Sequence, residues 1–214
     1  MRLAMVVEKE RLATLQERGV LLPDPRRIME ESYRPAYEWL AARMLESLPA
    51  PPGETWPLWA WAWYDGFDVS QPHERNDEFV VLEIRKPPEE VLLSEFHSWH
   101  HVLNNWYLPD ERAPDKGEAE YDAFYAEIDA LGLPGWQARH PEEMQTRIEE
   151  SWLRTLDVRR SDDVVQAAFF SLSIDEVVAV RPWDRSGARR RRVEACIPDG
   201  IGNDRAASLS YHAA

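Results

Sequence analysis

Trp56-Pro57-Leu58-Trp59-Ala60-Trp61-Ala62-Trp63-Tyr64-Asp65-Gly66 is the stretch from which the rest of the chain can be read. Tryptophans stand at every second position from Trp59 to Trp63. Side chains alternate between the faces of a strand, so the three indoles are expected on one side of a sheet. An indole brings apolar area and one N–H that needs an acceptor, so such a row suits the wall of a core and the wall of a ligand groove alike. The next strand, Phe79-Val80-Val81-Leu82-Glu83-Ile84, follows after a polar loop from Val69 to Asp77 with no helix between. Consecutive strands of this kind argue against a doubly wound parallel sheet. They point to an α+β fold, a mixed and mainly antiparallel sheet with packed helices.

The flanks fill in the order of elements. Residues 2–7 read as a buried strand, and residues 8–18 carry Leu12 and Leu15 on a charged helical background closed by Gly19. Val20-Leu21-Leu22 reads as a short strand. Asp24-Pro25 caps a helix that runs, interrupted at Arg34-Pro35, to about Leu48. On the other side Val91-Leu92-Leu93 leads into Ser94, read as the N-cap of a helix through about Trp106 whose apolar face holds Phe96, Trp99, Val102, Leu103 and Trp106. Amphipathic helices follow at 116–131 and 141–156. Val164 to Leu172 and Glu176 to Val180 then read as neighbouring strands joined by a tight turn. Residues 1–183 are expected to form one globular α+β domain, and 184–214, rich in Arg, Gly, Ser and Ala, a mobile tail.

Composition narrows the function classes. In a chain of 214 residues, 39 Asp and Glu against 25 Lys and Arg give a net charge of −14, whose field repels phosphate backbones and anionic membranes. General nucleic-acid binding is disfavoured, the basic run Arg189-Arg190-Arg191-Arg192 being a local exception inside the tail. Cys196 is the only cysteine, which rules out an internal disulfide and a cysteine-rich metal site. No apolar run approaches a membrane span, and the chain reads as cytoplasmic.

Three constellations could carry chemistry. His97, His101 and Asn104 recur at helical spacing on one face; two imidazoles a turn apart can share zinc, although the glutamate of His-Glu-x-x-His is replaced by Ser98. Asn104 and Asn105 sit beside Trp106 and Tyr107, amides and aromatics that can grip a polar planar ligand or cap a helix equally well. Gln166 is a lone amide in the apolar strand 164–172, and it shares a face with Ala168 and Phe170. A polar side chain there costs free energy unless it is partnered or faces a cleft. No Gly-x-Ser-x-Gly or phosphate-cradling glycine loop is present.

Pro57-Leu58-Trp59-Ala60-Trp61, Val91-Leu92-Leu93-Ser94-Glu95-Phe96, Trp99-His100 and Val102-Leu103-Asn104-Asn105-Trp106-Tyr107-Leu108 together resemble a bacterial family catalogued only as a domain of unknown function. The likeness runs over about residues 1–183. It departs at the first strand, where Ala4, Met5 and Val7 replace the family's polar and aromatic residues. The order of elements is also similar, at the level of fold, to small NAD-using ADP-ribosyltransferases. That likeness implies a nucleotide ligand with NAD as cofactor, Trp59, Trp61, Trp63 and Tyr64 stacking on a planar ring, and Asn104, Asn105 and Gln166 orienting it. It also puts Gln166 where such transferases hold a glutamate that steadies an oxocarbenium-like centre. Two other readings stay open: a non-enzymatic module that recognises a protein partner through its tryptophan face, and a zinc hydrolase built on His97 and His101.

Overall fold

The structure is a computed structural model that describes residues 1–28, 30–51, 53–64, 78–135, 139–159 and 164–183. The expected polar loop at 69–77 and the expected tail at 184–214 lie outside the described residues. β1 (Arg2–Glu8) alternates strictly enough to bury Leu3, Met5 and Val7 on one face. It leads directly into α1 (Lys9–Arg18), which ends as expected at Gly19, where φ is +74° and the N–H reaches the Leu15 carbonyl at 2.9 Å. A Cβ is strained in that left-handed conformation, which is why glycine stands there. β2 (Val20–Leu21) follows. The Asp24 carboxylate then accepts from the Arg26 N–H at 3.1 Å and starts only a single 3-10 turn, Pro25–Arg27. The expected interruption at Arg34-Pro35 is instead the true start of α2 (Arg34–Ser47), because a proline in the first turn has no N–H that the helix would use.

β3 (Leu58–Tyr64) and β4 (Phe79–Arg85) are the two central strands read from the sequence. β5 (Leu92–Glu95) runs straight into α3 (Phe96–Leu103), and α4 (Pro114–Ala130) and α5 (Glu142–Ser151) complete the helical side. After a 3-10 stretch at Trp152–Leu156 come β6 (Val164–Phe169), β7 (Leu172–Ser173) and β8 (Val177–Pro182). Among the described residues the main sheet has the order β5-β6-β3-β1-β4-β8 with each pairing antiparallel, and β2 pairs with β7 in a second small sheet. The α+β class with a mainly antiparallel sheet is therefore what the chain adopts.

One expectation is overturned. The strands at 164–172 and 176–180 are not neighbours, since β3, β1 and β4 lie between β6 and β8. The chain leaves the sheet at Leu172–Ser173 to pair with β2, and a capping box between Ser173 and Glu176 then turns it toward the far edge. That box closes a 3-10 turn at Ile174–Glu176 rather than a hairpin.

The sheet separates two apolar cores. One face packs Leu3, Leu58, Ala60, Leu82 and Phe169 against Leu15 of α1 and the small sheet. The other packs Leu92, Trp59, Ala168 and Phe170 against Leu40, Trp99, Phe124 and Ile148 of the four remaining helices. β3 thus gives small alanines to the α1 side and its bulk to the helical side. No helix among the described residues is long and apolar enough to cross a membrane.

Candidate functional site

The antiparallel register lays one row of residues across the sheet: Ser94 of β5 lies opposite Gln166 of β6, Gln166 opposite Trp61 of β3, Trp61 opposite Ala4 of β1, and Ala4 opposite Glu83 of β4. Directly opposed side chains have Cβ atoms about 5 Å apart. Gln166 and Trp61 are each two positions from Ala168 and Trp59, so the row stands on the face that meets the helices. Trp61 comes within 5.2 Å of Phe96, ring centre to ring centre, and Trp59 within 5.1 Å of Trp99. Tyr37 of α2 closes the far side of this aromatic group, 6.0 Å from Trp59 and 5.9 Å from Trp99.

The same face carries polar atoms with no partner. Trp59 Nε1, Ser94 Oγ and Gln166 Oε1 are all shielded from solvent and make no hydrogen bond within the protein. Six buried side-chain nitrogen or oxygen atoms lack a partner among the described residues, and three of the six fall in this one patch. Each such atom costs about 1–3 kcal/mol relative to a satisfied one, so the patch holds unmet hydrogen-bonding capacity. Trp59, Trp61, Phe96 and Gln166 are only half-buried, whereas Ser94 is buried. The surface therefore grades from accessible rings to enclosed polar atoms.

Ser94 was expected to cap α3, and the structure corrects that. Glu95 is the N-cap, its carboxylate accepting from His97 N–H at 3.0 Å and Ser98 N–H at 2.6 Å. Two carboxylate oxygens meet two open N–H groups at the positive end of a helix, which a single hydroxyl cannot match. Ser94 is released to the sheet face. The signal in the sequence was the Ser-Glu pair itself, two competing caps in adjacent positions.

The other singled-out residues lie elsewhere. His97 is exposed with its ring edge toward Phe96 at 5.4 Å. His101 is half-buried and holds Nδ1 at 3.1 Å from the Tyr107 carbonyl. Asn104 donates to the His100 carbonyl at 2.7 Å and closes α3. Asn105 takes the left-handed conformation, φ +54°, and exchanges amide hydrogen bonds with Gln145 at 3.2 and 2.8 Å. Both asparagines sit at the end of α3 opposite to Ser94, about 12 Å away by the rise of an eight-residue helix. They end a helix and do not meet Gln166. Among the described residues no three His, Cys, Asp or Glu side chains gather as a metal site. Trp63 and Tyr64 pair with Val165 and Val164 through their backbones, after a register shift between Trp61 and Trp63; their side chains lie outside the described residues.

The Gln145 amide also accepts from the His140 N–H at 3.1 Å, and His140 is buried. Burial disfavours the imidazolium and holds this histidine below its ordinary value of 6.5. The unfolded chain then binds the proton more readily, so stability is full above pH 6.5 and declines as pH falls through 6.5 toward the folded value. Urea midpoints measured between pH 7.5 and 5 are expected to drop, and a His140→Gln variant is expected to flatten that part of the profile.

The family model described as "Domain of unknown function (DUF3841)" matches residues 6–178, which include Trp59, Trp61, Ser94, Phe96, Trp99 and Gln166. The chain belongs to the DUF3841 family. No curated protein and no solved structure matches it. In this DUF3841 chain a hollow of about 430 Å³, lined by Pro109, Asp110, Pro114, Gly117 and Tyr121 among others, lies where α4 begins. None of its lining side chains holds an unpartnered buried polar atom. The patch at Trp59 and Trp61 is the stronger candidate.

Proposed function

We propose that this DUF3841 protein binds a planar, nucleotide-type ligand, NAD-like in its combination of aromatic ring and amide, on the helical face of the sheet at Trp59, Trp61, Phe96, Ser94 and Gln166. The observation that carries the reading is the coincidence of half-buried rings with three enclosed, unpartnered polar atoms on one face of the sheet, Ser94 and Gln166 in the row of Trp61 and Trp59 in the neighbouring row on that face. Rings supply a stacking surface, and the polar atoms supply orientation.

The reading favours binding over group transfer. Stabilising an oxocarbenium-like centre calls for a nearby negative charge. Gln166 is uncharged, and Glu95, which follows Ser94 directly, uses its carboxylate to cap α3. A protein-recognition face built from tryptophan has weaker support: of the described tryptophan side chains only Trp106 is exposed.

The test is tryptophan fluorescence with NAD, ADP-ribose and adenosine, on the native chain and on Gln166→Met. Saturable quenching is expected for the native chain. Gln166→Met removes one unsatisfied oxygen while keeping the volume, so it is expected to lose the quenching and to gain about 1 kcal/mol of stability. No response from the native chain to any of the three would overturn the proposal.

A further inference from the structure

We infer that the ligand meets this site through an uncharged amide edge, a carboxamide or a ring lactam, and that a carboxylate in the same place is rejected; the inference rests on the ligand-binding reading above. It follows from what the unpartnered atoms can and cannot do. Trp59 Nε1 only donates, the Ser94 hydroxyl donates or accepts, and Gln166 Oε1 only accepts. An amide edge carries one donor and one acceptor, so its N–H can meet Gln166 Oε1 while its carbonyl accepts from Trp59 Nε1 or the Ser94 hydroxyl.

A carboxylate has no hydrogen to offer. Set against Gln166 Oε1 it leaves that enclosed oxygen unmet and adds a repulsive contact. Glu95 follows Ser94 directly, and Glu83 stands in the same row beyond Ala4, already paired with Arg181 at 3.0 Å. Both carboxylates are already engaged, Glu95 by the first N–H groups of α3 and Glu83 by Arg181, so neither stands free to accept from a ligand. Sites built to hydrogen-bond a group discriminate strongly against analogues that cannot do so, because the protein's own polar atoms are then left bare.

Isothermal titration of the full chain at pH 7.5 with nicotinamide and with nicotinate, two rings differing only in amide against carboxylate, tests this. Nicotinamide is expected to bind at least tenfold more tightly. Gln166→Leu, checked for folding by its thermal transition, is expected to reduce that ratio to less than threefold. Equal binding of the two probes, tighter nicotinate, or binding of NAD with none of nicotinamide would overturn the amide preference while leaving the ligand site standing. Failure of both probes and of NAD, ADP-ribose and adenosine would overturn the ligand-binding reading with it. A tenfold ratio that Gln166→Leu leaves unchanged would assign the preference to other residues and overturn the role given to Gln166.

Discussion

Glu176→Ala is expected to lower the unfolding free energy by about 3 kcal/mol, because it removes the more buried of two carboxylates from a buried ammonium and opens a capping box as well. Lys86, the residue after β4, is only 3% exposed. Its Nζ lies 2.8 Å from Glu176 Oε1, 2.7 Å from Glu90 Oε2 and 3.2 Å from the Ser171 carbonyl, and it sits 5.5 Å from the centre of the Phe169 ring. This single cation ties the end of β4 to the turn that sends the chain from β7 to β8. Glu176 serves twice, since its other oxygen accepts from the Ser173 N–H at 2.8 Å in the capping box. The two carboxylates are not equivalent. The Glu176 side chain is 19% exposed and that of Glu90 is 44%, so water can replace Glu90 far more readily. Glu90→Ala is accordingly expected to cost less than about 1 kcal/mol. Urea denaturation of the two variants checks the asymmetry; equal losses would show that burial does not set the strength of this cluster.

Gly117→Ala is expected to destabilise by about 2 kcal/mol even though alanine is the better helix former. A Cβ at Gly117 would stand 2.9 Å from the Asp110 carbonyl carbon and 3.2 Å from its nitrogen, and closer still to the carbonyl oxygen. These are backbone atoms, which cannot swing aside as a side chain can. The first turn of α4 would have to lift from the 109–113 segment, which the Gly117 N–H to Ala113 carbonyl bond at 2.7 Å holds in place. A melting temperature lower by about 4–8 °C is the expected readout for a domain of this size. Glu118→Ala, one position on and exposed, is expected to change it by less than about 2 °C.

What could be read from the sequence was mostly local. Gly19, the tryptophan strand and the apolar runs of β1, β4 and β6 are each specified by chemistry within a few residues, and all of them form strands or a helix end near where they were expected, whereas Pro35 starts a helix it was expected to interrupt. The separation of β6 from β8 was not legible, because pairing partners far apart in sequence leave no local mark and a turn at Ser173 suits a hairpin as well as a crossover. Of the candidate site, Trp59, Trp61 and Gln166 were found because large aromatics and a lone amide stand out in apolar strands. Ser94 was misread as a cap, since only the competition with Glu95 decides that role. Asn104 and Asn105 drew attention for the same amide chemistry that makes them good helix terminators. The register shift past Trp61 had no sequence signal that alternation could detect.

The most direct test of the ligand site is the indole N–H spectrum of the ¹⁵N-labelled chain, titrated with NAD. Trp59 Nε1–H is enclosed and unbonded, whereas Trp152 Nε1–H already donates to the Trp106 carbonyl at 2.8 Å and serves as an internal control. With assignments made from Trp59→Phe and Trp152→Phe variants, the Trp59 resonance is expected to move downfield as it acquires an acceptor while that of Trp152 stays within its linewidth. A Trp59 resonance unmoved at saturating NAD, or one that moves no more than that of Trp152, would contradict the account.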